Sequence, residues 1–202
     1  MGRQSTTNKQ SDDNASSLAA SGDVAELEQM MYQHADSTRI VMLHGDVTEH
    51  SIAVVIAQLI HLSTQSKRPI KLVISTYGGA IDEMFSLYDV INMIDCPVHT
   101  IALGKVMSAG VLLLASGEKG NRVIGKNARL MIHSVSGHAH GNVFEVQNQA
   151  DEHKRLQELM VDLLKNETSM SKKQIESIMS DKIDKFITPE DAVKLGIVDV
   201  IA

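Results

Sequence analysis

The sequence predicts a single α/β domain, and two observations carry that expectation. From Arg39 onward, short β-branched and aliphatic runs alternate with segments whose apolar residues recur at helical spacing. The chain has 202 residues and 43% hydrophobic content, enough to bury one substantial core but short for two.

Residues 1–22 carry Ser, Thr, Asn, Gln and Asp, with Leu18 as almost the only large apolar side chain. Such a segment cannot bury enough surface to offset the entropy of ordering it. A disordered tail or a removable propeptide is expected there, with the domain occupying 23–202. Met1-Gly2 followed by Thr6 formally fits a myristoylation pattern, as much unrelated sequence does.

Arg39–Leu43, Ile70–Ile74 and Val98–Leu103 read as buried strands. Between the first two, Ile52, Val55, Ile56, Leu59 and Leu62 form a helical stripe with Thr48 as its N-cap. Between the second and third, Ile81, Met84, Phe85, Tyr88, Ile91 and Ile94 mark a helix that starts directly after Gly78-Gly79. Ser108–Ala115 reads as a short buried helix, followed by short strands at Arg122–Ile124 and Leu130–Ile132. Asn142 to about Lys165 is helical, and its first half, Glu145–Arg155, is so polar that it is expected to project from the core or meet another subunit. Ser171 with Gln174, and Thr188 with Pro189 and Asp191, have the spacing of capped helix starts. Gly196 is placed to end the last helix, and Ile197–Ile201 to close the fold as a strand.

With 19 Lys plus Arg against 25 Asp plus Glu, the formal charge is -6, and no basic run interleaves with aromatics. Nucleic acid is therefore not an expected partner. The single cysteine, Cys96, cannot form an internal disulfide, which favours a cytoplasmic protein. No apolar stretch approaches membrane-spanning length, and no secretory signal is evident, so no membrane partner is expected. Gly120–Lys126 approximates a P-loop, but Asn127 stands where a magnesium-binding Ser or Thr belongs, and nucleotide binding is rejected. His138 and His140 share a strand face, yet no third ligand is evident; neither a metal nor another cofactor is expected.

Three places carry chemistry. Gly78-Gly79, between a strand and a helix, can leave amide N–H groups open at a helix N-terminus for developing negative charge. Ser108, at the start of a helix, sits where the next N–H can point at an oxyanion. Val106 precedes it by two, so this is not the Gly-x-Ser-x-Gly elbow. His133 ends an apolar strand as a potential base, and Asp184 before Phe186 can supply an orienting carboxylate. Taken singly, the glycine pair reads as a tight turn, Ser108 as an N-cap and His133 as an ordinary polar contact.

Taken together, Gly78-Gly79, the run Gly104-Lys105-Val106-Met107-Ser108-Ala109-Gly110, Arg129 to His133, and Asp184 to Ala192 through Gly196 to Asp199 resemble in order the signature blocks of Clp protease proteolytic subunits. The resemblance runs from about Arg39 to Ile201. It implies a spiral of β-β-α units, shared with crotonases, with a projecting handle over about 134–165. It implies Ser108 as nucleophile, His133 as base and Asp184 as orienting acid, with Asp181 as competitor for that last role because the His133 to Asp184 spacing is slightly long. It implies oxyanion donors on the N–H groups of Gly79 and Ala109, and substrate contacts at Gly78, Ala80, Ile81 and Ser136. Gly137–Gly141 falls where the family has a strand beside bound peptide.

The same resemblance implies a homo-oligomer of two stacked seven-membered rings around a chamber. Its substrates are unfolded polypeptides, threaded in by an AAA+ unfoldase. The sequence departs from the family in several places. Thr76-Tyr77 stand where Ser-Pro precedes the paired glycines, and Val135 stands where Pro follows the histidine. Lys71, Val73, Met93 and Val123 occupy positions of unfoldase-docking aromatics, and Lys182-Ile183 the position of an Asp-Arg pair. These changes point to a divergent member, phage-encoded or a specialised paralogue. They keep two alternatives in view: a head-maturation protease acting without ATP, and a non-catalytic ring subunit. A signal-peptide-peptidase-like enzyme uses lysine as base and membrane segments, and a crotonase does not need this serine and histidine; both fit less well.

Overall fold

The computed structural model describes residues 26–180 and 184–202, so the expectations for residues 1–22, for Asp181 and for Lys182-Ile183 lie outside the described residues. Helix α1 occupies residues 26–38. It is followed by β1 (Ile40–His44), α2 (Glu49–Gln65), β2 (Ile70–Thr76), α3 (Ile81–Met93), β3 (Val98–Met107) and α4 (Ala109–Ala115). Then come β4 (Val123–Ile124), β5 (Arg129–Ile132), α5 (Val143–Glu167), α6 (Lys172–Ser180), β6 (Lys185–Ile187), α7 (Pro189–Lys194) and β7 (Val200–Ile201).

Strands β1, β2, β3, β4 and β7 lie side by side in that order, all parallel. Strand β3 serves two neighbours on one edge: Ile101 and Ala102 pair with β4, and Lys105 to Met107 pair with β5. Gly104, with φ +64, separates the two stretches. Strand β6 then adds to β5 in the only antiparallel pairing among the described strands. The apolar runs read as buried strands are buried on one face only: Val41, Leu43, Ile70, Leu72 and Ile74 point into the core, while Met42 and Lys71 on the alternate positions are exposed and Val73 is half-buried. The helices of this chain thus cover one side of β1 and β2 fully and leave the other partly open.

Local chemistry explains the boundaries. Thr48 caps α2 by accepting from Ser51 N–H, while Ser51 Oγ accepts from Thr48 N–H in return. Strand β1 starts at Ile40, one residue later than expected, because Arg39 is held at φ +58. Its buried guanidinium donates to the carbonyl oxygens of Leu62, Ser66, Arg68 and Pro69, closing the C-terminal end of α2. Helix α4 is buried at every residue and packs against β3 and α3. The closing strand is limited to Val200–Ile201. Gly196 turns at φ +68, and the N–H groups of Ile197 and Val198 return to Ala192 O, leaving neither for a ladder.

Helix α5 begins at Asn142, whose side chain accepts from Phe144 and Glu145 N–H. Its buried residues are Leu156, Met160, Val161 and Leu164, all in the second half. The first half stands clear of the body, with Val143 80% and Phe144 81% exposed. The strand expected at Gly137–Gly141 is not formed: this stretch is exposed and irregular, with no neighbouring strand to complete a ladder. Helix α1, which no expectation covered, buries only Ala35. No described helix is long and apolar enough to cross a membrane.

Candidate active site

Three parallel strands deliver their carboxyl ends to one place, the edge of an α/β sheet where ligand sites form. Strand β2 ends at Thr76, beside Val106 of β3, and is followed by Gly78-Gly79. Strand β3 ends at Met107, beside Met131 of β5. Ser108 N–H donates to Met131 O at 2.8 Å, which fixes the first residue past β3 against the end of β5. His133 follows β5 directly.

The result is a contact between two residues 25 apart in sequence: Ser108 Oγ lies 2.8 Å from His133 Nε2. With the ring carrying its proton on Nδ1, the hydroxyl donates to Nε2, the arrangement in which an imidazole can take the serine proton. Ser108 does not cap α4 with its side chain. It sits at φ +53, ψ -123, one of two described non-glycine residues with positive φ. Such a conformation costs on the order of 1–3 kcal/mol and persists only where the surroundings enforce it. Strain of this kind aims a side chain off the end of a strand, the task a nucleophile elbow performs, although Val106 breaks the usual sequence pattern.

The glycines are what make the turn fit. Gly78 has φ +101, and a Cβ there would lie 2.6 Å from Ser108 Cβ and 3.0 Å from Met107 O. A Cβ on Gly79 would lie 2.2 Å from Val47 O, because Val47 N–H donates to Gly78 O and Ala80 N–H to Val47 O. Gly110 passes Thr76 so closely that a Cβ would meet its methyl at 2.5 Å. Gly78 N–H is taken by Thr76 Oγ1 at 2.9 Å. Among the described residues, the N–H groups of Gly79 and Ala109 have no partner. The second of them opens α4, where unpaired amides are the rule.

Ser108, Ala109, Gly79, Ile81, His133 and Ser136 line one cleft. Met84, Met160 and Met179, from α3, α5 and α6, also line it and are buried. Sequence reasoning assigned none of these methionines to the site; helical spacing marks them as core but does not say which end of the core. Gly78 is buried behind Ser108, Ala80 is exposed beside the cleft, and neither lines it. His138 and His140 stack with ring centroids 6.2 Å apart, and no third metal-binding side chain joins them among the described residues.

Asp184 is exposed and makes no hydrogen bond to His133 among the described residues. Its position follows from β6, where Leu130 pairs with Ile187, Met131 with Phe186 and Ile132 with Lys185. Continued by one rung, that antiparallel register would set His133 opposite Asp184, but both residues lie just past the ends of their strands and their side chains do not meet in the described chain.

The fold and this cleft agree with what the chain is similar to. The Clp protease family model matches residues 23–202. The ATP-dependent Clp protease proteolytic subunit 1 of Borreliella burgdorferi is 34% identical over 172 residues, covering 85% of this chain and 88% of the relative. The ATP-dependent Clp protease proteolytic subunit of Borreliella afzelii is 34% identical over 172 residues, covering 85% and 86%. A match over nearly the whole domain, on a chain whose serine and histidine meet at the ends of adjacent strands, makes this protein a peptidase belonging to the Clp protease family.

Proposed function

We propose that the chain is a serine endopeptidase that cuts unfolded polypeptides inside a chamber of stacked rings, using Ser108, His133 and Asp184. The observation that carries this reading is the 2.8 Å approach of Ser108 Oγ to His133 Nε2 at the mouth of a cleft that also holds the free N–H of Ala109. Ser108 Oγ bonds to the scissile carbonyl carbon as its proton passes to Nε2. The carbonyl electrons move onto oxygen, which Gly79 and Ala109 N–H hold. Collapse breaks the C–N bond, the leaving amine takes the proton from Nε2, and water repeats the sequence on the acyl-enzyme. In the active particle Asp184, which makes no bond to His133 in the single chain, accepts from Nδ1–H and keeps the ring in the required tautomer. The β5–β6 register supports Asp184 over Asp181 for this role.

Apolar Ile81 and the buried methionines suit the side chains of unfolded substrate, with Ser136 in the cleft wall and exposed Ala80 beside it bordering the peptide, while buried Gly78 acts by making room for Ser108. The irregular 137–141 stretch pairs with the peptide when it is bound. Facing handles cover Val143 and Phe144 and join two seven-membered rings. Both relatives carry ATP-dependent in their names, which supports feeding by an AAA+ unfoldase, and a lone, buried and unpaired cysteine, Cys96, suits a cytoplasmic setting. Digestion of an unfolded protein such as casein tests the assignment. Ser108→Ala abolishes it, Asp184→Asn lowers it by about 10⁴-fold as in trypsin-type triads, and Asp181→Asn leaves it near wild type. Inactivity of Asp181→Asn beside an active Asp184→Asn reassigns the acid.

A further inference from the structure

The segment that follows His133 is strapped to helix α5 by three side chains at four-residue spacing. Gln157 Oε1 accepts from Val135 N–H at 2.7 Å. The His153 ring lies so close beneath Gly137 that a Cβ there would meet it at 2.5 Å. Gln149 takes both backbone groups of His140, accepting from its N–H at 3.0 Å and donating to its C=O at 2.9 Å. Residues 149, 153 and 157 form one stripe on α5, and the loop runs antiparallel along it. The same stripe continues into the buried Met160, Val161 and Leu164, so it is anchored in the core. Gln157 also donates to Met179 Sδ at 3.0 Å, joining the loop to α6. Val135, Ser136, Met160 and Met179 all line the cleft that holds Ser108 and His133.

We propose that Gln157 is a positioning residue for hydrolysis, holding the His133 loop by its bond to Val135 N–H and so fixing the imidazole against Ser108. The bond lies two residues from the base, on a segment that makes no ladder of its own. Without it, Val135 carries a half-buried donor with no partner, and the loop shifts to find one. A displacement of about 1 Å at a reacting group is enough to cost about 100-fold in rate. The proposal rests on the reading of Ser108 and His133 as nucleophile and base.

The test compares Gln157→Leu, which removes the acceptor, with Gln157→Glu, which keeps an acceptor of the same reach. Ring assembly is checked in each, and a fluorophosphonate probe reports on Ser108. Gln157→Leu is expected to slow labelling by about 10- to 100-fold, the equivalent of one unpaired donor, and to lower kcat for a short peptide with KM little changed. Gln157→Glu keeps most of the rate. Val135→Pro placed in the Gln157→Leu background removes the orphaned N–H and recovers part of the loss. Wild-type labelling rates in Gln157→Leu overturn the proposal, as do equal losses in the Leu and Glu variants or a rise in KM with kcat intact. Hydrogen exchange at Val135 decides the strap independently of catalysis: the amide exchanges faster in Gln157→Leu than in wild type or Gln157→Glu, and equal rates sink it. Absence of any Ser108 labelling in the wild type contradicts the nucleophile reading instead.

Discussion

Ser108 combines a backbone conformation that few residues tolerate with a side chain that another strand's terminal histidine receives at 2.8 Å. Gly78 is the residue that permits both, because it passes behind Ser108 with no side chain to spare. Gly78→Ala is expected to push Ser108 off its aim and lower peptide hydrolysis by about 100-fold or more, in keeping with the cost of a 1 Å misplacement. Near-wild-type hydrolysis by a folded Gly78→Ala protein contradicts this packing account. The glycine pair, the serine and the histidine were legible in the sequence as residue types at strand ends. The strain at Ser108 was not, since Val106 conceals the elbow pattern and φ is decided by the contact of Gly78 and Met131 with the turn. Gln157 was hidden for a related reason: a polar residue on a polar helix gives no sign that it faces a loop rather than water.

Among the elements, β4 and β7 depend on an ion pair at the foot of the fold. Arg122 Nη2 lies 2.6 Å from Asp199 Oδ1, and Arg122 Nε and the N–H groups of Arg122 and Gly120 donate to Oδ2. The side-chain bonds from Arg122 lower the Asp199 carboxyl from 3.8 to about 2, against a smaller opposing effect of burial. A carboxyl whose folded value lies below its unfolded one stabilises the protein above about pH 4, and that contribution is lost as pH falls towards 2. The shift corresponds to about 2 kcal/mol. Asp199→Asn is therefore expected to lower the Tm at neutral pH, with the gap from wild type closing as pH drops from about 4 towards 2. A gap that stays constant over that range excludes the linkage. Helices α2 to α7 were readable because apolar spacing and caps such as Thr48, Asn142 and Thr188 agree with the packing they enter. Helix α1 escaped because it buries little, and the 137–141 strand was expected but needs a partner that one chain does not supply.

At the scale of the whole molecule, α5 leaves its apolar tip, Val143 and Phe144, in the open while its far half is locked into the core. Apolar side chains this exposed at the end of a projecting helix fit a surface covered by a second copy. Light scattering is expected to give a particle far heavier than the 22.0 kDa chain, and Phe144→Asp is expected to reduce its mass by placing a charge in the proposed contact between copies. A monomer in the wild type at micromolar concentration contradicts the assembly. Everything at the site turns on the pairing of an activated Ser108 with His133, and covalent labelling by a fluorophosphonate followed by peptide mapping reads that pairing out. One adduct is expected, on the peptide containing Ser108, absent from Ser108→Ala and strongly slowed in His133→Ala; an adduct that forms elsewhere, or persists in Ser108→Ala, rules the pairing out as the source of catalysis.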